Sequence, residues 1–337
     1  MMQTLTLEQT ADRLAGLERV LILFHARPDG DAVGSAFALR RALTLRGCDA
    51  WCVCPHELPN RLRFLVELDG EDAQNSVLAD AIPERFTDAP VVSVDTAAPG
   101  QAGDLAEQLL PRCVLMIDHH ASGTPYADSY IRPEAAAAGE VLYPILMRLR
   151  EGDGPLDPIV AARLFAAIAS DTGCFKFSNA GAATHRAAAD LLDAGFASVI
   201  EPAEITRRLF DTKTPGVLRG EQTALRNLRL FADGRIAVTT LSHAEREAEG
   251  LRPEDTETMI EAIRVLAGCE IAATMKQADD TPLWRVSLRS TGPDVAEVAA
   301  QFGGGGHHRA AGCAVEAETA DAAVAALVEK LQAALGA

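Results

Sequence analysis

The stretch VLILFHARPDGDAVGSAFALRRALTLRG, residues 20–47, predicts a strand joined to a helix by a short polar turn. Its first five residues are an apolar run too short for a helix, whereas residues 32–47 have helical spacing and end at a glycine. The turn between them carries His25, Asp29 and Asp31. An imidazole and two carboxylates therefore follow the carboxyl end of the first predicted strand, which is where ligands bind in open α/β sheets.

The same alternation of strand and helix continues through the first half of the chain. Further apolar runs with the length of strands are WCVC (51–54), VVSV (91–94) and CVLMI (113–117). Helical patterns lie between and after them, at 103–111, 135–150, 158–169 and 182–194. This order predicts an α/β domain built on a doubly wound parallel sheet.

The second half of the chain has a different pattern. Strands are predicted at 235–242, 269–277 and 283–290, the last two as a hairpin, and helices at 255–266, 294–302 and 319–335. We therefore expect a smaller mixed α/β domain. The predicted boundaries are a first domain over 1–195, a connector over 196–220 and a second domain over 221–337.

The amino-acid composition limits which binding partners and which cellular compartment we expect for the protein. The chain has 48 acidic against 31 basic residues, a formal charge of −17, which disfavours long duplex nucleic acid because such binding needs many cations. No apolar run approaches a membrane span, and the amino terminus lacks the pattern of a signal peptide. Seven cysteines, an odd number, are typical of reduced thiols. We expect a cytoplasmic protein with no membrane partner, and a homodimer is compatible with the sequence.

Carboxylates and imidazoles also follow other predicted elements. Asp95 ends the third strand, Asp118, His119 and His120 end the fourth, and Asp171 follows an apolar helix. Each aspartate alone could be a helix cap or a turn residue. Together they would meet at one edge of the sheet, where four carboxylates raise one another's pKa unless cations neutralise them.

This donor set points to two divalent metal ions. Oxygen and imidazole donors without thiolate favour Mn²⁺, with Mg²⁺ or Fe²⁺ as alternatives. Two such ions, about 3.5 to 4 Å apart, generate a nucleophile from water and hold a phosphoryl group for displacement. The first domain is therefore predicted to hydrolyse phosphate esters.

A second motif, FGGGGHHRAAG at 302–312, follows the alternating strand that ends in Arg289 and Ser290. Consecutive glycines expose backbone N–H groups to a phosphate or a base, although a glycine run alone could end a helix. Arg289 offers a planar fork for phosphate, and a surface salt bridge is its alternative. His307 can stack on a base or donate to a phosphate.

The four motifs HARPDGDAVGS, VDT (94–96), IDHHAS (117–122) and SDTGCFKFSN (170–179) resemble, in order, the metal-binding motifs of the DHH phosphoesterase superfamily. LRS (288–290) with FGGGGHHRAAG resembles the DHH-associated carboxyl-terminal domain. The resemblance covers nearly the whole chain. Its length and layout are most similar to the nano-RNase/pAp phosphatase branch of that superfamily.

The resemblance implies roles for individual residues. One metal would be held by His25, Asp29 and Asp95, and the second by Asp31, Asp95, His119 and Asp171. His120 would face the substrate phosphate or the leaving oxygen, and Asp118 would orient a ligand histidine, or else accept hydrogen bonds in the turn. Ser35 would contact phosphate or simply begin a helix. The substrate contacts in the second domain would be Arg289, Ser290, Gly304, Gly305, Gly306, His307 and Arg309.

Three positions depart from the family pattern without touching a proposed ligand. His308 stands where these proteins often carry lysine, and Ala138 precedes Gly139-Glu140 where a hydroxyl residue is common. The segment ASGTPYAD after His120 lacks the asparagine often found there.

The expected protein is a manganese-dependent phosphoesterase with its active site in a cleft between the two domains. Hydroxide would attack phosphorus in short RNA fragments, releasing mononucleotides, and 3′-phosphoadenosine 5′-phosphate (pAp) would be a second substrate. A phosphodiesterase for linear or cyclic dinucleotides is an open alternative, as is a non-catalytic nucleotide sensor. A RecJ-type exonuclease is disfavoured by the charge and the absence of room for further DNA-binding modules, and a pyrophosphatase by the glycine-rich motif.

Overall fold

The computed structural model describes residues 2–70, 77–78, 81–150 and 152–336. The chain divides into two compact units, Met1–Thr212 and Lys213–Ala337. Each unit has its own sheet and its own apolar cores. Among the described residues, no helix combines the length and the apolar character that a membrane crossing needs.

The first unit alternates strands and helices along the chain. Its strands are β1 (Arg19–Leu23), β2 (Asp49–Val53), β3 (Val91–Val94), β4 (Cys113–Asp118) and β5 (Ser129–Ile131). Its α-helices are α1 (Leu7–Ala15), α2 (Gly30–Leu45), α3 (Arg63–Glu67), α4 (Ala106–Leu109), α5 (Ala138–Leu149), α6 (Pro158–Asp171), α7 (Ala182–Asp193) and α8 (Pro202–Thr206). Short 3₁₀ turns and a π-helical turn, Arg207–Asp211, complete the described part of this unit.

The first sheet is parallel, with strand order β2-β1-β3-β4-β5. The chain moves outward from β1 to β2 and then returns to place β3 on the other side of β1. This reversal makes a topological switch point between β1 and β3, where the carboxyl ends of the strands leave a crevice. The prediction of a doubly wound parallel sheet is confirmed.

Burial on both faces explains why these strands read as continuous apolar runs. In β1, Val20 and Ile22 belong to one core, which lies under α2, α5 and α6, whereas Leu21 and Leu23 belong to the core on the other face. The helices α2 and α6 pack tightly because Gly34 lacks a side chain. A Cβ at that position would lie 2.6 Å from the carbonyl oxygen of Arg163.

The second unit has a mixed sheet. Its strands are β6 (Arg229–Phe231), β7 (Ile236–Leu241), β8 (Ile271–Gln277), β9 (Leu283–Ser290), β10 (Gly305–His307) and β11 (Ala310–Glu316). Its α-helices are α9 (Pro215–Arg226), α10 (His243–Ala248), α11 (Met259–Arg264), α12 (Val295–Ala300) and α13 (Ala320–Leu335). The strand order is β10-β11-β9-β8-β7-β6, with β7 and β8 parallel and the other pairs antiparallel.

The two faces of this mixed sheet carry different cores. One face joins Trp284, Val286 and Leu288 to apolar residues of α12 and α13. On the other face, Ala237 of β7 and Ala272 of β8 pack against α9 and α11. The expected mixed domain and the β8–β9 hairpin are therefore present.

The structure adds strands that the sequence pattern did not reveal. Sequence patterns missed β5, β6, β10 and β11. The first three span three residues each, too few for alternation to show, and β11 (AAGCAVE) is rich in alanine and glycine. The predicted helix over 103–111 is instead a 3₁₀ segment, a single α-turn and a second 3₁₀ turn.

A buried ion pair ties the helices of the first unit together. Arg163 of α6 is 1% exposed, and its guanidinium makes two hydrogen bonds to the carboxylate of Asp69, at 2.7 and 2.9 Å. It also donates to the carbonyl oxygens of Phe37 in α2 and of Leu65 and Val66 in α3. The side chain of Arg163 therefore links α6 to α2 and α3 and also pairs with a carboxylate.

Replacing Arg163 by methionine should lower the free energy of unfolding by about 3–5 kcal/mol, because it leaves the carboxylate of Asp69 buried without its partner. Chemical denaturation of both proteins measures the difference. The matched control is Arg148→Met, which removes an exposed ion pair to Glu8 and should change stability by less than about 1 kcal/mol. Equal losses in both variants would contradict the structural role of Arg163.

Candidate metal centre

The switch point of the first sheet brings together the polar residues that follow β1, β3 and β4. His25, Asp29 and Asp31 lie just beyond β1 or in the first turn of α2, Asp95 follows β3, and His119 follows β4. Asp171 is the last residue of α6. The side chains that the sequence assigned to the two metals therefore form one cluster, described here as the carboxylate–imidazole cluster.

Asp95 lies at the centre of this cluster in an unusual backbone conformation. It is 2% exposed and has a φ of 53°, in the left-handed region that costs free energy for a residue with a side chain. Its two carboxylate oxygens point to different imidazoles: Oδ2 lies 3.4 Å from His25 Nε2, and Oδ1 lies 3.6 Å from His119 Nε2. This geometry suits a carboxylate that is shared between two ions.

His25, Asp29 and Asp95 form the first group whose donor atoms lie within 4.8 Å of one another. The Nδ1 atom of His25 lies 2.9 Å from the carbonyl oxygen of Ala26. A proton on Nδ1 would be donated to that carbonyl, leaving Nε2 as the donor to a metal. Asp29 also caps α2, since its Oδ1 accepts from the amides of Asp31 and Ala32.

Asp31, His119 and Asp171 form the second group. His119 Nε2 lies 3.4 Å from Asp171 Oδ2 and 3.7 Å from Asp31 Oδ2. The other ring nitrogen of His119, Nδ1, lies 3.4 Å from the carbonyl oxygen of Ala135. As with His25, a backbone carbonyl orients the imidazole so that Nε2 faces the carboxylates.

Asp31 is fully buried and is held by donors that the sequence did not reveal. Its carboxylate accepts from the amides of Ala138 and Gly139, at 2.6 and 3.0 Å, at the start of α5. The hydroxyl of Ser35 also donates to Asp31, at 2.9 Å. This hydroxyl is buried and bonded to a carboxylate, and the phosphate contact expected of Ser35 stays a prediction. The sequence could not predict that these two amides bind Asp31, because nearly every residue has a backbone N–H group.

Asp118 orients His120 rather than a histidine of the two metal groups. Its Oδ1 lies 2.8 Å from His120 Nδ1 and accepts from the amides of His119 and His120. A further group with metal-binding spacing joins Asp118 to Asp95, His119 and His120. One oxygen of Asp118 therefore binds the loop amides and the ring of His120, whereas the other, Oδ2, is buried and makes no hydrogen bond to the described residues.

Glu140 belongs to the scaffold around the cluster. Its Oε2 accepts from the amide of Ala136 and the hydroxyl of Thr184, which fixes the entry to α5. Ala138 therefore needs no hydroxyl to hold this region in place.

Two carboxylates of the cluster have raised pKa values, which indicates that they need positive charge nearby in order to ionise. Burial raises the pKa of Asp31 to about 7, helped by the nearby charge of Asp95. Burial, with the charges of Asp31, Asp29 and Asp95, also raises the pKa of Asp171 well above its ordinary value. Asp31 and Asp171 thus resist ionisation unless cations lie nearby.

The two imidazoles also have raised pKa values, which for histidine favours the protonated, charged ring. Burial alone would lower the pKa of His25, but the nearby carboxylates of Asp29 and Asp95 outweigh it and raise the pKa to about 12. His119 behaves similarly, with burial opposed by Asp95 and the neighbouring carboxylates, and its pKa rises to about 10. Burial would raise the pKa of Asp95, yet the two nearby imidazoles hold it below its usual range. Without metal, protons on the two histidines supply the charge.

The donor set and three orphaned atoms fit metal ions. Asp95 Oδ1, Asp118 Oδ2 and His119 Nε2 are buried and make no hydrogen bond to the described residues. Such atoms are costly unless something else binds them. The groups contain carboxylate oxygens and imidazole nitrogens but no thiolate, which matches manganese, magnesium or iron better than a structural zinc site. The cluster can therefore hold divalent metal.

In the second unit, the predicted substrate residues lie at the end of β9, on and just before β10, and in the turn between β10 and β11, with β11 between the two other strands in the sheet. Arg289 and Ser290 end β9, Gly305, Gly306 and His307 form β10, and Arg309 lies in the turn that leads to β11. Glycine is required at two positions of this hairpin. A Cβ at Gly304 would lie 2.2 Å from the carbonyl oxygen of Gly312, and Gly306 has a φ of 144°.

His308, one of the departures from the family pattern, does not replace the usual cation at the hairpin. Its Nδ1 lies 2.8 Å from the carboxylate of Asp294, which caps α12. The amide of Val295 also donates to the carbonyl oxygen of His308. This histidine ties the β10–β11 turn to α12.

Comparison with known proteins agrees with these motifs. The DHH family N-terminal domain matches residues 19–168, and the DHHA1 domain matches residues 233–333. A bifunctional oligoribonuclease and PAP phosphatase NrnA from Thermus thermophilus is 28% identical over 314 residues, covering 93% of this chain and 89% of that protein. The Bacillus subtilis protein of the same name is 27% identical, covering 88% and 90%.

A solved structure shares the fold over nearly the whole chain. An exopolyphosphatase-related protein from Bacteroides fragilis superposes with a TM-score of 0.83 at 21% identity, covering 97% of this chain and 95% of that one. The domain matches and the relatives indicate an enzyme that hydrolyses phosphoric esters. The chain therefore contains a DHH family N-terminal domain over residues 19–168 and a DHHA1 domain over residues 233–333.

Proposed function

We propose that this protein is a manganese-dependent phosphoesterase that hydrolyses short oligoribonucleotides to mononucleotides and also releases phosphate from pAp. The observation that carries the proposal is the carboxylate–imidazole cluster, in which Asp95 directs one oxygen toward each of two donor groups. The relatives named for oligoribonuclease and PAP phosphatase activity support this choice of substrates.

The proposed ligands follow the two donor groups. His25, Asp29 and Asp95 would hold one ion, and Asp31, Asp95, His119 and Asp171 the other. When bound, such ions lower the pKa of water and stabilise the charge of a phosphoryl group. Manganese suits the mixture of imidazole and carboxylate donors. Four aspartates also match the charge of two divalent ions.

The residues around the cluster orient and protonate the substrate. Asp118 holds Nδ1 of His120, so Nε2 is the nitrogen of that ring that would donate a proton to the leaving oxygen. The hydrogen bond to Asp118 also raises the pKa of His120, which favours the protonated ring. Asp118 is thus a positioning residue, and His120 is the proposed acid.

The DHHA1 domain would supply recognition of the nucleotide. Arg289 is the proposed phosphate contact, and Gly304, Gly305 and Gly306 would let a ligand approach the backbone of the hairpin closely. The amide of Gly304 itself donates to the carbonyl oxygen of Ala299. Ser290, His307 and Arg309 complete the proposed set. We also place the enzyme in the cytoplasm, acting on short single strands rather than long duplex, because the chain carries a net charge of −17.

The test is a side-by-side turnover assay with Mn²⁺ on a dinucleotide, a pentanucleotide, pAp, pApA, cyclic di-AMP and pyrophosphate. The proposal expects the two oligoribonucleotides and pAp to be hydrolysed fastest. Preference for pApA or cyclic di-AMP would establish the alternative, a dinucleotide phosphodiesterase. Binding without turnover of any substrate would instead indicate a nucleotide sensor.

Asp95→Ala should lower Mn²⁺-dependent turnover by at least about 10²-fold, because the metals stabilise the transition state by several kcal/mol and this carboxylate serves both sites. Initial rates and the manganese content of the purified protein test this. Asp88→Ala, which removes an exposed carboxylate of the same unit, is the control and should retain full activity. Near-normal activity and metal content in the Asp95 variant would refute the shared ligand.

Asp118→Asn should lower kcat by about 10- to 100-fold with little change in KM, because the amide orients the ring of His120 less well. The measurement is kcat and KM on pAp, together with the bound metal. Loss of metal in parallel with activity would show that Asp118 acts as a ligand instead.

Arg289→Ala should lower kcat/KM for nucleotide substrates by about 10- to 100-fold, because a hydrogen bond to a charged phosphate contributes about 1.5–3 kcal/mol. Hydrolysis of bis-p-nitrophenyl phosphate, which has no nucleoside, should change by less than about threefold. Equal losses on both substrates would contradict a recognition role for Arg289.

A further inference from the structure

One face of the second sheet carries basic side chains outside the proposed set of substrate residues. Side chains alternate along β9, so Arg285, Ser287 and Arg289 point away from the core that contains Trp284, Val286 and Leu288. Arg285 is exposed, and Ser287 and Arg289 are half-buried. The arginine at the end of the strand is therefore accompanied by a second one on the same face.

The neighbouring strand adds a third cation to this face. Lys276 of β8 lies directly opposite Arg285 in the antiparallel register. Like charges at such positions destabilise a sheet. Burial lowers the pKa of Lys276, and the charge of Arg285 lowers it further against the opposing effect of Glu257. The pair costs free energy in the protein alone, and a bound anion would remove that cost.

These three cations are not held by salt bridges in the described part of the unit, although the charges of Glu257 and Glu261 act on Lys276 and Arg289. Lys276 Nζ contacts the hydroxyl of Thr256 at 3.3 Å, and Arg289 donates to the carbonyl oxygen of Leu288. Elsewhere in the unit, by contrast, ion pairs join Arg229 to Asp321 and Arg235 to Glu270. Basic side chains held without a salt bridge are notable in a chain with a charge of −17.

The strand on the other side of β9 leaves room for a ligand. Ala310, Gly312 and Ala314 of β11 lie opposite Arg289, Ser287 and Arg285 in the register. None of these three is fully buried. In this unit, α9 and α11 pack against apolar residues of β7 and β8 on this face. Because α11 also contacts β9, the accessible part of this face comprises Arg285 and, on β11, the exposed Gly312 with the half-buried Ala310 and Ala314.

We propose that Lys276 and Arg285 form a phosphate-binding pair for the part of an oligonucleotide that extends beyond the nucleotide held at Arg289. This inference rests on the proposed function and deepens it. Arg285 and Arg289 are four residues apart, about 13 Å along a strand. That separation exceeds one nucleotide, so pAp bound at Arg289 would not reach the pair. The pair therefore favours longer substrates over pAp.

The test measures binding to the manganese-loaded full-length protein by fluorescence anisotropy. The probe is a labelled penta-adenylate with phosphorothioate linkages, which resist hydrolysis, and unlabelled pAp competes with it. The double variant Lys276→Gln/Arg285→Gln should bind the pentanucleotide about tenfold more weakly, with unchanged affinity for pAp. The slope of log affinity against log salt should become shallower by about 1.4, or about 0.7 for each lost phosphate contact.

Two control variants separate recognition from structure. Arg219→Gln removes an exposed arginine of the same unit and should leave both affinities unchanged. Arg285→Lys keeps the charge and should retain most of the pentanucleotide affinity. The melting temperature of the double variant should not fall, because the substitution removes a like-charge pair.

Equal weakening of pentanucleotide and pAp, or no weakening of either, would overturn the inference. The wild-type turnover assay reports separately on the proposed function. Failure to hydrolyse any nucleotide would refute that function, while the anisotropy result would still decide whether this pair binds phosphates.

Discussion

The structure of the first unit depends on how four carboxylates are held within a few ångströms of one another. Their mutual repulsion and their burial both oppose ionisation, as the raised pKa values of Asp31 and Asp171 show. The surrounding fold offsets part of this cost. Amides at the start of α5 and the hydroxyl of Ser35 bind Asp31, and two imidazoles face Asp95. The cluster still needs positive charge, which divalent metal ions can supply.

The topology of the parallel sheet is what brings the residues of this cluster together. Strand order β2-β1-β3-β4-β5 brings the ends of β1, β3 and β4 together and leaves a crevice at the switch between β1 and β3. The glycine at position 34 lets α2 approach α6, and the buried guanidinium of Arg163 locks that pair of helices to α3. Asp171, at the end of α6, is thereby held in place beside His119.

The sheet of the second unit separates apolar from basic side chains by its two faces. Apolar side chains of β9 pack against α12 and α13, and the alternate positions carry Arg285 and Arg289. Glycine at positions 304 and 306 lets the β10–β11 hairpin close, because a side chain at either position would collide with β11.

The sequence by itself determined the parallel α/β domain, the mixed second domain and the residues that gather at the sheet edge, because apolar periodicity and the ends of strands are local features. Only the tertiary structure decided which partner each of these residues has. Ser35 donates to Asp31, Asp118 lies against the ring of His120, and the amides of Ala138 and Gly139 bind Asp31 from 107 and 108 residues along the chain. Short strands such as β5 and β10 also depend on their neighbours. A sequence pattern contains neither the side-chain conformations that select one partner among several nearby nor the backbone groups that every residue shares.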